Sequence, residues 1–135
     1  MEAEDKALDY ALTYPSALSA LHFLIHWPAL DHAAQLVTSR ADEMDGDHYE
    51  ILTPTAEALS ANYPLAATLV LRAMIDFALG AARSKRYRHA ARHLLECESL
   101  ASQIDDFDQF DPHVTYVANL KAKHGRKQSF WQHVE

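Results

Sequence analysis

Along the chain, apolar residues recur three and four positions apart between prolines, and no stretch alternates polar with apolar residues. The first pattern is that of amphipathic helices, and the absence of the second removes strands. A helix is expected over 4–14, with Ala7, Leu8, Ala11 and Leu12 on one face. Pro15 ends it and opens a second helix through Ile25, because proline suits a first helical turn and disfavours an interior one. Trp27-Pro28 repeats the device, and a third helix carries Leu30, Ala33, Ala34, Val37 and Ala41. The acidic stretch 42–47 around Gly46 reads as a loop.

Residues 49–52 are expected to form one short turn. Thr53-Pro54 then supplies a cap followed by proline at a first helical position, for a helix to about Asn62. Pro64 starts the most apolar segment, 65–82, whose strongly polar residues before Gly80 are Thr68, Arg72 and Asp76. Four apart, these make one narrow stripe, and a helix apolar on its other sides belongs in the middle of a bundle. Arg72 and Asp76 at mid-segment argue against a membrane span and form a candidate buried charge pair, most simply a structural one. Ser84 is placed to cap a helix over 85–104 with Tyr87, Ala90, Ala91, Leu94, Cys97, Ala101 and Ile104 inward. A loop over 105–112 follows, anchored by Phe107 and Phe110. Asp111-Pro112 opens a helix through Lys123 with Val114, Val117 and Leu120 facing in. Gly125 is expected to stop it in a left-handed conformation, and Phe130 and Trp131 to pack a final turn onto the bundle.

The expected fold is therefore all-α: an antiparallel helical bundle or short solenoid-like array of about six to seven helices, in one domain over 1–135. A chain of 135 residues buries about two-thirds of its unfolded surface and needs neither disulfide nor metal to fold. Its one cysteine, Cys97, excludes an internal disulfide and a multi-cysteine zinc module. With three glycines there is no Gly-rich phosphate loop. Neither a signal-peptide pattern nor an apolar run of about 20 residues is present, so a cytoplasmic location without membrane partners is expected.

Charge is unevenly placed. Residues 1–71 carry eleven acids against Lys6 and Arg40, whereas 72–135 carry ten bases against eight acids. Five of those bases fall in 83–92 and four in 121–127. Such asymmetry orients a partner, pairs two copies into a homodimer, or closes the halves on each other within the fold.

Two resemblances add to this reading. Tyr87, Ala90, Leu94 and Cys97 follow the spacing of aromatic, small, large and small residues in the second helix of a tetratricopeptide-type repeat, so 64–104 resembles such a hairpin. Met74 and Ala81 stand where that pattern has large aromatics, and no second copy follows at a period of about 34 residues. A wider resemblance spans 63–131. Its pieces are Tyr63-Pro64-Leu65-Ala66-Ala67-Thr68, Tyr87-Arg88-His89-Ala90-Ala91-Arg92-His93-Leu94, and His124-Gly125-Arg126-Lys127 followed by Phe130-Trp131. Together they resemble the C-terminal region of an uncharacterised bacterial helical family, a domain of unknown function. The resemblance implies a helical fold and a bacterial source, and it carries no activity. Members are usually longer, so the chain resembles a fragment or a short relative.

Several chemistries can be weighed from the residues. His89, His93 and Cys97 at i, i+4 and i+8 lie along one side of a helix, and imidazole with thiolate suits zinc. His22 and His26 form a second pair near Asp31 and His32, but zinc commonly takes four ligands and no feature joins the two helices. No metal or other cofactor is therefore expected. An EF-hand is excluded: with Gly46 at position six, positions one and twelve fall on Ala41 and Leu52. No nucleophile elbow or His-Glu-x-x-His pattern occurs, so no catalytic residue is expected. A protein-interaction or scaffolding module is the favoured function, with Arg83, Arg86, Arg88 and Arg92 facing an acidic protein partner. The alternative is nucleic-acid association. It would use 83–92, where Lys85 adds a base and Tyr87 an aromatic, together with Lys121, Lys123, Arg126 and Lys127. A metal-dependent activity through His89 and His93 is a further alternative.

Overall fold

The computed structural model describes residues 30–134. The helices expected over 4–14 and 15–25, with His22, His26 and the Trp27-Pro28 start, lie outside the described residues. Within them the chain forms six α-helices: α1 (Leu30–Ser39), α2 (Tyr49–Leu59), α3 (Pro64–Gly80), α4 (Tyr87–Ala101), α5 (His113–His124) and α6 (Gln128–Val134). Short 3-10 turns at Ala41–Glu43 and Ser84–Arg86 lead from α1 towards α2 and from α3 into α4. There is no strand among the described residues, and the all-α expectation holds. No helix among them is long and apolar enough to cross a membrane.

α3 is the centre. Pro64 occupies its first turn, where the missing N–H breaks no helical bond, and the helix packs against α1, α2 and α4. Ala66, Ala67 and Ala78 let neighbouring backbones approach, while Leu71, Ile75 and Leu79 fill the core. Each such buried side chain contributes about 1.5–3 kcal/mol. α4 returns along α3 and buries Tyr87, Ala90, Ala91, Leu94 and Cys97, as its spacing predicts. Leu100 completes that row, and Ala101 and Ile104 are only half-buried because the helix ends at Ala101. α6 docks on α4 through Phe130, which meets the Tyr87 ring edge-on at 6.1 Å and the Trp131 ring at 4.9 Å. Trp131 Nε1 donates to the His124 carbonyl at 2.9 Å, clamping α6 to the end of α5.

Four local expectations are corrected. Thr53-Pro54 does not begin a helix: α2 starts at Tyr49 and Pro54 sits inside it. Burial of Leu52, Thr55, Ala56 and Leu59 on one face, with the Thr55 hydroxyl donating to the Ile51 carbonyl at 2.7 Å, outweighs the helical bond that Pro54 cannot make. Ser84 does not cap α4 but opens the 3-10 turn before it. Val114 is 80 % exposed rather than inward, because α5 turns Tyr116 and Leu120 to the protein and Val114 falls on the far side. Gly125 is right-handed, at φ −59°. Its requirement is space, since a Cβ there would lie 2.5 Å from the Lys121 carbonyl oxygen.

Gly46 shows the same kind of need. It is buried, and a Cβ on it would stand 2.0 Å from the Ala73 carbonyl oxygen and 2.6 Å from Phe77 Cβ. The acidic loop is thereby pressed onto α3 instead of hanging in solvent.

Candidate functional site

Two concave regions flank α3. The first is a groove of about 460 Å³ between α2 and α4, floored by Met74 and Ala78. Tyr49, Thr53 and Glu57 line it from α2, and Arg86, His89, Arg92, His93 and Glu96 from the opposite wall, where Lys85 adds a base at one end. Of the four arginines expected to meet a partner, Arg86 and Arg92 line this groove and Arg83 and Arg88 do not.

Arg86 joins the two halves of the charge distribution. Its Nη1 lies 2.9 Å from Asp47 Oδ1, and its guanidinium covers the rings of Tyr49 at 5.1 Å and Phe77 at 5.3 Å. Arg83 approaches the Phe77 ring at 6.0 Å. Arg83, Lys85, Arg88 and Arg92 are exposed and make no ion pair among the described residues, so closure of the halves on each other accounts for one of these five bases. Tyr87, the aromatic of this stretch, is buried against Phe130 and presents no ring for stacking, a correction to the nucleic-acid reading.

The zinc candidates diverge. Residues four apart on a helix drift by about 40° per step, so a row of three reaches about 80°. His89 is accordingly exposed, His93 half-buried, and Cys97 fully enclosed with Sγ 4.0 Å from the Thr68 carbonyl. Burial pushes the Cys97 thiol up to about 12 and, with His89 and Arg92 alongside, brings His93 down to about 4. His93 is thus a neutral imidazole at neutral pH. Among the described residues no group of three or more His, Cys, Asp or Glu side chains could hold a metal ion.

The second concavity, about 880 Å³, opens between the acidic loop, α3 and α5. Arg72 and Asp76 face it from α3, Tyr116, Asn119 and Lys123 from α5, and Asp111 from the preceding loop. Arg72 and Asp76 do not close on each other as an ion pair. Each turns to Tyr116: the Tyr116 hydroxyl donates to Asp76 Oδ1 at 2.7 Å, and the Arg72 guanidinium lies 4.3 Å from the centre of the Tyr116 ring. Phe107 stands on another side of Arg72 at 5.7 Å.

Asp76 sits in the wall of a concavity, so protein crowds its carboxylate while solvent still reaches it. That crowding raises its pKa above the usual carboxylate range, against the pull of the Tyr116 hydrogen bond and of Arg72. Burial, and then Asp76 itself, hold the Tyr116 phenol firmly protonated, which makes it a hydrogen-bond donor at any ordinary pH. Arg72 is only 6 % exposed, and its Nε and Nη2 find no acceptor. Tyr116 and Phe107 therefore organise this region. Tyr116 was legible only as the partner of Leu120 four residues on, an inward row competing with Val114 and Val117.

Comparison with curated proteins and with solved structures finds no match. The model of an uncharacterised family matches residues 1–133, a wider span than the 63–131 over which a likeness to such a family was expected. The chain belongs to the family of unknown function DUF6880.

Proposed function

We propose that the chain is a helical protein-interaction module, without catalytic activity of its own, that receives an acidic segment of a partner protein in the groove between α2 and α4. The observation that carries this reading is the set of exposed, unpaired bases on the α4 side. Arg88 and Arg92 lie one turn apart, Lys85 precedes them, and none has an acid within ion-pair distance among the described residues. Two unpaired cations in the groove wall, Lys85 and Arg92, with Arg88 exposed one turn before Arg92, beside an apolar floor of Met74 and Ala78, suit a chain that alternates carboxylates with apolar side chains. Arg86 is already engaged by Asp47 and acts in shaping the groove wall.

The test is fluorescence anisotropy with labelled peptides that alternate Glu and Leu, read at low and at high salt against the wild-type chain and the Arg88→Glu/Arg92→Glu variant. Both substitutions fall on exposed positions, so the fold is retained. The expected result is saturable binding that weakens with salt and drops about tenfold or more in the variant. Equal binding by both proteins, or no binding by either, overturns the reading. Preference for a single-stranded oligonucleotide of equal charge over the peptide does so in favour of nucleic acid.

A further inference from the structure

The groove between α2 and α4 is not of one charge along its length. On the α4 side Lys85 comes first, Arg92 stands about 11 Å further on, and Glu96 lies one turn, about 6 Å, beyond Arg92. α2 runs in the same direction along the other side. Tyr49, at its start, meets the Arg86 guanidinium at 5.1 Å, and Glu57, further along α2, is close enough to Glu96 to oppose its ionisation. The two ends therefore differ: bases and an aromatic ring at one, a pair of carboxylates at the other.

Neither carboxylate is neutralised within the fold. Glu57 and Glu96 are exposed, so a ligand reaches them, and they make no ion pair among the described residues. Arg92 precedes Glu96 by one turn, the base-before-acid order that supports a helical pair least, and the two do not close to ion-pair distance. Protein packed around Glu96 raises its carboxyl above the usual range, Arg92 pulls it back, and Glu57 adds to the rise. Carboxylates converging from two helices repel each other, and a cation between them relieves the repulsion. A uniformly acidic segment, or a polynucleotide, is attracted at Lys85 and Arg92 but repelled at this end.

The spacing sets a register. An extended chain advances about 3.3 Å per residue, so about three residues cover Lys85 to Arg92 and about two more reach Glu96. We infer that the groove reads the order of charges in its partner: two acidic residues about three positions apart, held by Lys85 and Arg92, then a basic residue about two positions on, held between Glu57 and Glu96. Apolar side chains between them meet Met74 and Ala78. Resting on the groove's role as a receptor for acidic segments, this assignment makes Glu57 and Glu96 its specificity-determining pair.

The experiment measures fluorescence anisotropy with labelled, end-blocked peptides of identical composition and net charge. Two carry the matching order in either chain direction, Glu-Leu-Leu-Glu-Leu-Lys and Lys-Leu-Glu-Leu-Leu-Glu. The third, Glu-Leu-Leu-Lys-Leu-Glu, exchanges the last two charges. One matching peptide should bind the wild-type chain about tenfold or more tightly than the exchanged one. In Glu57→Gln/Glu96→Gln, altered only at exposed positions, that preference should shrink to about twofold or less, and the all-acidic Glu-Leu-Leu-Glu-Leu-Glu should gain affinity. Equal binding of the three isomers to the wild type, or a preference that survives in the variant, overturns the charge-order inference and leaves the acidic-segment groove standing. Binding of none of the four peptides overturns both.

Discussion

His93 shows how burial converts a surface-type residue into a pH-sensitive one. In the folded chain it titrates near 4, against 6.5 for an unperturbed imidazole, because the groove wall desolvates it and His89 and Arg92 repel its proton. Between those two values the unfolded chain binds the additional proton. Stability contributed by the neutral side chain is therefore complete above about 6.5 and is lost as the pH falls towards 4, by up to about 3 kcal/mol. His93→Gln should flatten this part of the profile. Urea unfolding of both proteins at pH 7, 5.5 and 4 checks it, and parallel losses in the two would refute the assignment. Cys97 and Tyr116 illustrate the opposite outcome, in which burial removes a group from proton chemistry altogether. None of these behaviours is visible in residue type or spacing. They arise from what stands next to each group once the helices have met.

Helix ends depend on tertiary contacts more than helix interiors do, and α3 shows why. Its expected extent, 65–82, runs two residues past its observed end at Gly80, and the left-handed residue that ends it is not the glycine but Ala82, at φ 53°. Arg83 N–H donates to the Ala78 carbonyl at 2.8 Å and Ala82 N–H to the Leu79 carbonyl at 3.2 Å, the paired bonds of a Schellman ending. Gly80 meanwhile lies in regular helix with open space where a Cβ would be. An L-residue in the left-handed region costs about 1–2 kcal/mol, partly regained because glycine is more flexible when unfolded. Ala82→Gly should thus raise stability by up to about 1 kcal/mol, measured as a shift of the denaturant midpoint at constant slope. A lowered midpoint would show that the strain is absorbed elsewhere. Pro54 teaches the same lesson from the other side. Its local preference is for a helix start, and the packing of Leu52, Thr55, Ala56 and Leu59 placed it in an interior instead.

At the scale of the whole molecule, α3 is the hub and the C-terminal segments close around it and α4. Phe130, with no exposed surface, is the main attachment of α6. Phe130→Ala should cost about 3–5 kcal/mol, with loss of the Trp131 fluorescence signature that its edge-on contact creates, and an unfolding midpoint near the wild-type value would contradict that role. The apolar periodicity sufficed to establish the all-α class, the centrality of α3, the inward row of α4 and the clamp by Phe130 and Trp131. Such features follow from burying apolar surface at the period of a helix, a local property of the chain. Both concave regions lay beyond its reach. Arg92, Glu57 and Met74 come to one groove from three helices, and Arg72, Asp111 and Tyr116 to one pocket from two helices and a loop. Which face α5 turns inward was decided by a single hydrogen bond and a ring over a guanidinium, contacts spanning about forty residues, and no periodicity within a helix encodes them.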